Sequence, residues 1–242
     1  MCRSGNRIAS ALLNKGWCAM VQGIFRYRKS RRLAEVEIDG EIVEAYVSNG
    51  AQLRFMKDGC ICYLREAFGE KRKTAYDFYS IYDGDTLVCV DVKEPLQIIK
   101  PWYTEKLLRE LNVESLPLIH ENTRDSSLIC FREPIKDMVV QVMGTSLVEE
   151  KTAYLPDISS SALNERLADL IWMKDNGQDP RLVFVVCRDD AECFTPNAEV
   201  DPYFADMVKD LYELGVPVDC VRCTVNADGM AVDTVIPLRF GM

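Results

Sequence analysis

The sequence predicts an α+β chain of two modules: a small β-barrel over residues 20–92 and a mixed-sheet α/β module over 93–242, with residues 1–19 as a helical N-terminal extension. Three observations carry this. Between residues 33 and 92, apolar and polar residues alternate in short runs separated by turn dipeptides, which suits a barrel of short strands. Near residue 93 the apolar spacing changes from every second residue to every third or fourth. Residues 182–223 then read as strand, helix and strand, a unit whose two strands are parallel.

In chain order, Ile8, Leu12 and Leu13 fall on one face of a short helix over 6–16. Leu33–Ile38 alternates apolar and acidic residues, and Asp39-Gly40 favours positive φ at both central positions of a hairpin turn. Ile42–Val47, Cys60–Leu64, Ala75–Tyr82 and Thr86–Val92 read as further strands, divided by Asp58-Gly59, Gly69 and Asp83-Gly84. Trp102–Leu111 reads as a helix. Leu128–Phe131 and Met138–Met143 read as strands joined through Arg132–Asp137. Ser159 is placed to cap a helix through Leu163, Leu167, Leu170 and Ile171 that stops near Gly177. Leu182–Cys187 is a continuous apolar run, the pattern of a strand covered on both faces. Asp201-Pro202 offers a cap followed by proline at the first helical position. Phe204, Met207, Val208, Leu211 and Leu214 make that helix's apolar face, Gly215 ends it, and Val216–Cys223 returns as a strand.

With 48% hydrophobic and 28% charged residues, the chain has the balance of a globular protein rather than a disordered one. No run approaches ~20 consecutive apolar residues, so no membrane-spanning helix is expected. No apolar h-region marks a secretory signal, and ten scattered cysteines point to the reducing cytoplasm. The net charge of −9 is unevenly spread: residues 1–92 carry 14 basic and 12 acidic residues, whereas 93–242 carry 15 and 26. Arg3, Arg7, Lys15, Arg26, Arg28, Lys29, Arg31 and Arg32 all precede the first acid, Glu35. A polyanion would be received by the N-terminal part and repelled by the rest, whose acidic surface suits a protein partner instead.

The run Arg26-Tyr27-Arg28-Lys29-Ser30-Arg31-Arg32, with Phe25 and Tyr27 interleaved, is a pattern that suits phosphate contacts plus base stacking. Its plainer reading is a charged strand edge that resists edge-to-edge pairing. Lys71-Arg72-Lys73 adds a second basic group at a loop tip. The expected nucleic-acid contacts are therefore Arg26, Arg28, Lys29, Arg31, Arg32, Lys71, Arg72 and Lys73. Cys220-x-x-Cys223 has metal or redox spacing, but on a strand and without a second pair it reads as two core cysteines. Cys60 and Cys62 share a strand face. His120 is the one histidine, and nothing beside it marks a nucleophile. Ser159-Ser160-Ser161 suits a helix start. No GxGxxG or Walker-type loop is present, so nucleotide-dependent chemistry is not expected.

The order helix, strand, hairpin strand, helix, strand over 102–187 resembles the core of the PD-(D/E)XK nucleases. Longer runs point to one family. GIFRYRKSRRLAEVEIDG, VVQVMGTSLV, YLPD and the stretch from LVFVVCRDDAECFTPNAEVDPYF to CVRCTV together resemble the sugar fermentation stimulation protein A (SfsA) family, from about Gln22 to Phe240. The resemblance implies an N-terminal OB-like barrel, a C-terminal PD-(D/E)XK domain, DNA binding and nuclease activity. A nuclease site of that kind takes an Asp on one strand and Glu-x-Lys on the next, because carboxylate oxygens hold Mg²⁺ and the metal activates the attacking water. The resemblance places the Asp at Cys130 and the Glu-x-Lys at Gln141-Val142-Met143. Gln is neutral, Met carries no charge, and Cys is soft for Mg²⁺. Leu155-Pro156-Asp157 is kept, but Ile158–Leu163 replaces the Thr, Arg and His that commonly follow in the family. Asn49-Gly50 keeps only part of an Asn-Thr-Gly-Ser turn.

The expectation is thus an SfsA-type protein that binds DNA or RNA through its barrel, with no cofactor and no nuclease activity. Two alternatives stay open. One is a Mg²⁺- or Mn²⁺-dependent nuclease on relocated acids among Asp125, Glu133, Asp137, Glu149, Glu150 and Asp157, with Lys151 as the cation. The other is a protein-interaction module that has lost nucleic-acid binding.

Overall fold

A computed structural model describes residues 20–69, 72–117, 127–131 and 138–241. The helix expected at 6–16, the basic residues Arg3, Arg7, Lys15 and Lys71, His120, and the acids Asp125, Glu133 and Asp137 lie outside the described residues.

Six strands build the first module: β1 (Met20–Ser30), β2 (Leu33–Ile38), β3 (Glu41–Tyr46), β4 (Ile61–Glu66), β5 (Tyr76–Asp83) and β6 (Thr86–Cys89). Asp39 and Gly40 close the β2–β3 hairpin with φ of 52° and 85°, the positive values that turn demands. Neighbouring strands run β3-β2-β1-β4-β5, and β3 pairs in parallel with β5 through Ala45↔Tyr76 and Tyr46↔Asp77. That last pairing closes five strands into an OB barrel, and β6 extends the sheet beyond β5. Side chains alternate in and out along each strand, so Phe25, Ala34, Val36, Ala45, Leu64 and Phe78 fill the interior. The alternation fails to announce β1, because bulges between Phe25 and Tyr27 and between Arg28 and Ser30 shift its phase. At Gly23 the β2 side chains leave no room for a side chain on β1: a Cβ there would lie 2.4 Å from Val36 Cγ1.

The second module opens with α1 (Glu94–Leu111), which begins earlier than the Trp102 start that helical spacing suggests. Pro95 sits in its first turn, where a missing N–H costs nothing, and the helix continues through Pro101. There follow β7 (Leu128–Phe131), β8 (Met138–Thr145), β9 (Leu147–Glu149), β10 (Thr152–Leu155), α2 (Ser161–Asp175), β11 (Asp179–Val186), β12 (Cys193–Pro196), α3 (Pro202–Glu213), β13 (Val218–Asn226) and β14 (Gly229–Val235). The main sheet runs β14-β13-β11-β8-β7, with β11 parallel to β8 and β13 and the outer pairs antiparallel. One face packs Met143, Leu182, Phe184 and Val186 against α2 and α3 through Leu167, Leu170, Phe204 and Leu211. The other packs Val140, Val142, Val183 and Val185 against Ile99, Tyr103 and Leu107 of α1. β9, β10 and β12 form a separate small sheet.

Asp201 caps α3, accepting the Phe204 N–H at 3.0 Å. Ser159 does not cap α2 as its position suggests. Ser160 occupies the cap position, and the Ser159 hydroxyl donates instead to Asp201 at 2.8 Å. The two modules touch directly: the Cys89 N–H donates to the Cys187 carbonyl at 3.0 Å, and Tyr79 and Cys89 of the barrel join the core beneath α1. No helix among the described residues is long and apolar enough to cross a membrane.

Candidate nucleic-acid interface

The pleat that sends Ala34, Val36 and Ala45 inward turns Glu35, Glu37 and Glu44 outward. Glu35 and Glu44 stand directly opposite each other across β2 and β3, an arrangement that is repulsive by itself. Lys29 Nζ resolves it, lying 2.7 Å from Glu44 and 3.4 Å from Glu35. Arg26 is held by Glu37 at 2.6 Å and by Asp58 at 3.2 Å. These carboxylates raise the pKa of both cations, Glu44 then Glu35 acting on Lys29 and Glu37 then Asp58 on Arg26. Two of the eight expected phosphate contacts are thus ion pairs within the barrel surface. Phe25, expected beside them as a stacking ring, is instead buried edge-on to Phe78 at 6.0 Å, because it occupies an inward position of β1. Tyr27 is 50% exposed.

Arg28, Arg31 and Arg32 have a different environment. Arg28 pairs with Ala34, an inward position, at the end of the barrel. Its guanidinium donates to the carbonyls of Ala51, Asn49, Gln52 and Arg31, the last at 2.5 Å. Arg31 Nε donates to the Gly50 carbonyl at 3.1 Å, and Arg32 donates to the Ser48 carbonyl. Three guanidiniums therefore hold the segment 48–52 by its backbone oxygens. Among the described residues no carboxylate pairs with any of the three. Burial, then the charges of Arg32 and Arg31, lower the Arg28 pKa from its ordinary value. The side chains of Arg31 and Arg32 close around Gly50, where a Cβ would lie 3.1 Å from Arg31 Nη2 and 3.6 Å from Arg32 Cζ. This packing role of Gly50 leaves no mark in the local sequence.

Arg72 and Lys73 of the second basic group lie at the same end of the barrel. Ser30↔Leu33, Leu33↔Tyr46 and Tyr46↔Asp77 succeed one another across β1, β2, β3 and β5. The β1–β2 turn and the loop entering β5 therefore share one pole. Arg72 of that loop pairs with Asp77, Lys73 is exposed, and the exposed Tyr46 lies between the two loops. OB barrels commonly receive oligonucleotides on the β2–β3 face and on these two loops.

On the main sheet of the second module, Cys130 pairs with Val139 and Leu128 with Gln141, which turns Cys130, Gln141 and Met143 to one face. Met143 is buried in the core under α2 and α3. Gln141 is 2% exposed, and its Nε2 donates to Ser127 Oγ at 2.7 Å. A hard divalent ion needs anionic oxygens, and these three side chains supply none. Among the described residues no three His, Cys, Asp or Glu side chains converge on a metal position. Of the acids weighed as substitutes, Glu149 and Glu150 are exposed where β9 turns into β10, and Lys151 pairs with Glu192 at 2.6 Å. Asp157 follows the cis Leu155-Pro156 bond, and burial raises its pKa. Cys220 and Cys223 lie in the cores on opposite faces of β13, so they form no common site.

A closed OB barrel followed by a mixed-sheet domain with few helices defines a two-domain class, and the chain matches it domain by domain. Residues 27–90 match the SfsA N-terminal OB domain, and residues 97–229 match the sugar fermentation stimulation protein RE domain. The chain belongs to the SfsA family. The sugar fermentation stimulation protein homolog of Carboxydothermus hydrogenoformans is 28% identical over 216 residues, spanning 88% of this chain and 94% of the relative. That of Methanobrevibacter smithii is 27% identical over 222 residues, spanning 87% and 93%. The fold is that of Pyrococcus furiosus SfsA, solved in complex with Ca²⁺, with a TM-score of 0.76 at 20% identity over 91% of this chain and 96% of that one.

Proposed function

We propose that this chain is a nucleic-acid-binding member of its family that grips phosphates through one pole of its OB barrel and has no nuclease centre where the family's Asp and Glu-x-Lys would stand. The observation that carries the reading is the guanidinium group of Arg28, Arg31 and Arg32, gathered without a carboxylate on the segment 48–52. Arg28 spends its fork on backbone carbonyls and so frames the segment. Arg31 and Arg32 are exposed, and each guanidinium has donors beyond the one it spends on a carbonyl. Lys73, with Lys71 and the Asp77-paired Arg72 beside it in sequence, adds charge at the same pole, and Tyr46 between the two loops offers a ring for stacking. Both DNA and RNA present these groups. The second module retains a PD-(D/E)XK-like strand order, but Cys130, Gln141 and Met143 do not suit a Ca²⁺ or Mg²⁺ ion, and no hydrolytic step is assigned to that face. The described cysteines form no disulfide, which supports the cytoplasm as the compartment.

Fluorescence anisotropy with labelled single-stranded DNA and RNA tests this. Arg31→Ala with Arg32→Ala should weaken binding about tenfold or more at low salt and flatten the salt slope by about 1.4, the share of two phosphate contacts. Arg26→Ala with Lys29→Ala should change little. Absence of binding by the parent protein at low salt, or an unchanged affinity in the Arg31/Arg32 variant, would overturn the reading. EDTA-sensitive cleavage of the same oligonucleotides with Mg²⁺ or Mn²⁺ would overturn its second half.

A further inference from the structure

We infer that the outer β2–β3 face of this barrel excludes nucleic acid, so that a single strand is held end-on at the pole over only about three or four phosphates. This rests on the nucleic-acid reading above and specifies how the strand lies. The face on which OB barrels commonly lay an oligonucleotide carries Glu35, Glu37 and Glu44 against Arg26 and Lys29. Asp39 and Glu41 are exposed at its far turn, and Asp58 flanks it beside Arg26. A phosphate resting there would stand within the ~8 Å over which charges act at physiological salt, facing more carboxylates than cations. To reach Arg26 or Lys29 it would have to displace a carboxylate already hydrogen-bonded to each. The pole is the reverse. Arg31 and Arg32 have no carboxylate partner among the described residues, and Asp77 is taken by Arg72. Along β3 the pole at Tyr46 is about 7 Å from Glu44 and about 17 Å from Glu41 at the far turn, so a strand seated at the pole borders the face without crossing it. The glutamates thus act as specificity determinants: they shorten the footprint and favour strand ends and short single-stranded stretches over long tracts.

Oligo-dT of 4, 8 and 16 nucleotides, titrated by anisotropy at several salt concentrations, tests this on the full chain. For the parent protein, affinity corrected for the number of registers should level off by about 4 to 5 nucleotides, with a salt slope of about −2 to −3. Glu35→Gln, Glu37→Gln and Glu44→Gln together should make affinity climb through 16 nucleotides and steepen the slope by about 0.7 to 1.4, as Lys29 is released to phosphates and Arg26 keeps only Asp58. Asp169→Asn, Asp206→Asn and Asp228→Asn change the net charge equally, from exposed sites in the second module, and should leave the parent behaviour intact. If the triple Gln variant does not fold, Glu44→Gln alone, on an exposed side chain, should show a smaller shift in the same direction. A parent affinity that rises steadily to 16 nucleotides, or Gln variants no different from the Asn control, would overturn this inference while leaving the nucleic-acid reading standing. Failure of parent and Gln variants alike to bind would overturn both.

Discussion

Arg188 Nη1 lies 3.0 Å from the Asp83 carboxylate, an ion pair that ties the end of the central strand β11 to the end of β5 in the barrel. The same guanidinium holds Asp190 through two bonds of 2.6 Å and donates to the Ser146 carbonyl at 3.3 Å. Its side chain is 5% exposed. Burial alone would lower its pKa, but Asp190 and Asp83 more than offset this and raise it.

Removing one partner of such a pair strands the other. Arg188→Ala should therefore destabilise the protein by about 2 to 4 kcal/mol, toward the low end because both acids are partly in water. Asp83→Ala should cost less, since Arg188 keeps Asp190, but it should loosen the coupling between modules. In a Trp17→Phe background, urea unfolding followed by Trp102 and Trp172 fluorescence, both in the second module, should then separate from the transition seen by circular dichroism. Coincident curves in Asp83→Ala would count against the coupling role.

Arg28 is a brace for the segment 48–52 rather than an outward cation. Lysine offers a point charge that cannot span the four carbonyls of Asn49, Ala51, Gln52 and Arg31. Arg28→Lys should thus behave like Arg28→Ala, each losing about 1 to 2 kcal/mol by thermal unfolding. A Lys variant as stable as the parent would show that charge alone suffices there.

Met143 lies where the family resemblance expects a lysine, yet it is packed among Leu167, Phe184 and Phe204. Met143→Lys should cost about 3 kcal/mol or more, because an ammonium must be desolvated or lose its proton. Burial lowers the folded-state pKa of such a lysine, so at neutral pH the unfolded chain binds more protons and stability rises with pH. The variant should be closer to the parent at pH 9 than at pH 6 in urea titrations. Adding Cys130→Asp and Gln141→Glu on the same face should recover part of the loss at pH 6. An equal deficit at both pH values would contradict the burial argument.

The Asp201 carboxylate accepts from Ser159 Oγ at 2.8 Å, Phe204 N at 3.0 Å and Asn164 Nδ2 at 3.2 Å. Burial would push its pKa up, but these bonds more than offset it and hold the carboxyl below its ordinary value. A depressed carboxyl contributes stability that is full above the unfolded-state pKa and is lost as pH falls through the folded-state value. Asp201→Asn should accordingly cost about 1 to 2 kcal/mol at pH 7, with the gap to the parent narrowing below about pH 4. A gap independent of pH would mean that the charge plays no part.

Features set by period and by turn chemistry were legible from residues alone. Asp39-Gly40 announces its hairpin, the run Leu182–Cys187 its doubly covered strand, and Asp201-Pro202 the start of α3. β1 was hidden because its two bulges break the alternation, and the first turns of α1 because Pro95 and Pro101 read as breakers. β9, β10 and β12 are too short to show a period. At the candidate interface the residue types were readable but their pairing was only half so. Counting outward from the Asp39-Gly40 turn sets Glu35 opposite Glu44, but the register of β1, which decides that Lys29 and not Arg28 meets them, depends on the bulges. Which arginines are spent on backbone carbonyls is a matter of packing that no local pattern encodes.

The opposite-face placement of Cys220 and Cys223 bears on how this cysteine-rich chain meets oxidants. Three residues along a strand separate Cα atoms by about 10 Å, beyond the ~7 Å a disulfide can bridge, so the CxxC spacing cannot close without unravelling β13. Burial also pushes the Cys223 thiol up to about 12, and that of Cys62 likewise. At pH 7 such groups are thiolate to only about one part in 10⁵, which starves both peroxide and exchange chemistry of its nucleophile. The folded protein should accordingly consume a thiol reagent at these positions only as fast as it unfolds, and the buried sulfurs among the described residues serve as packing material.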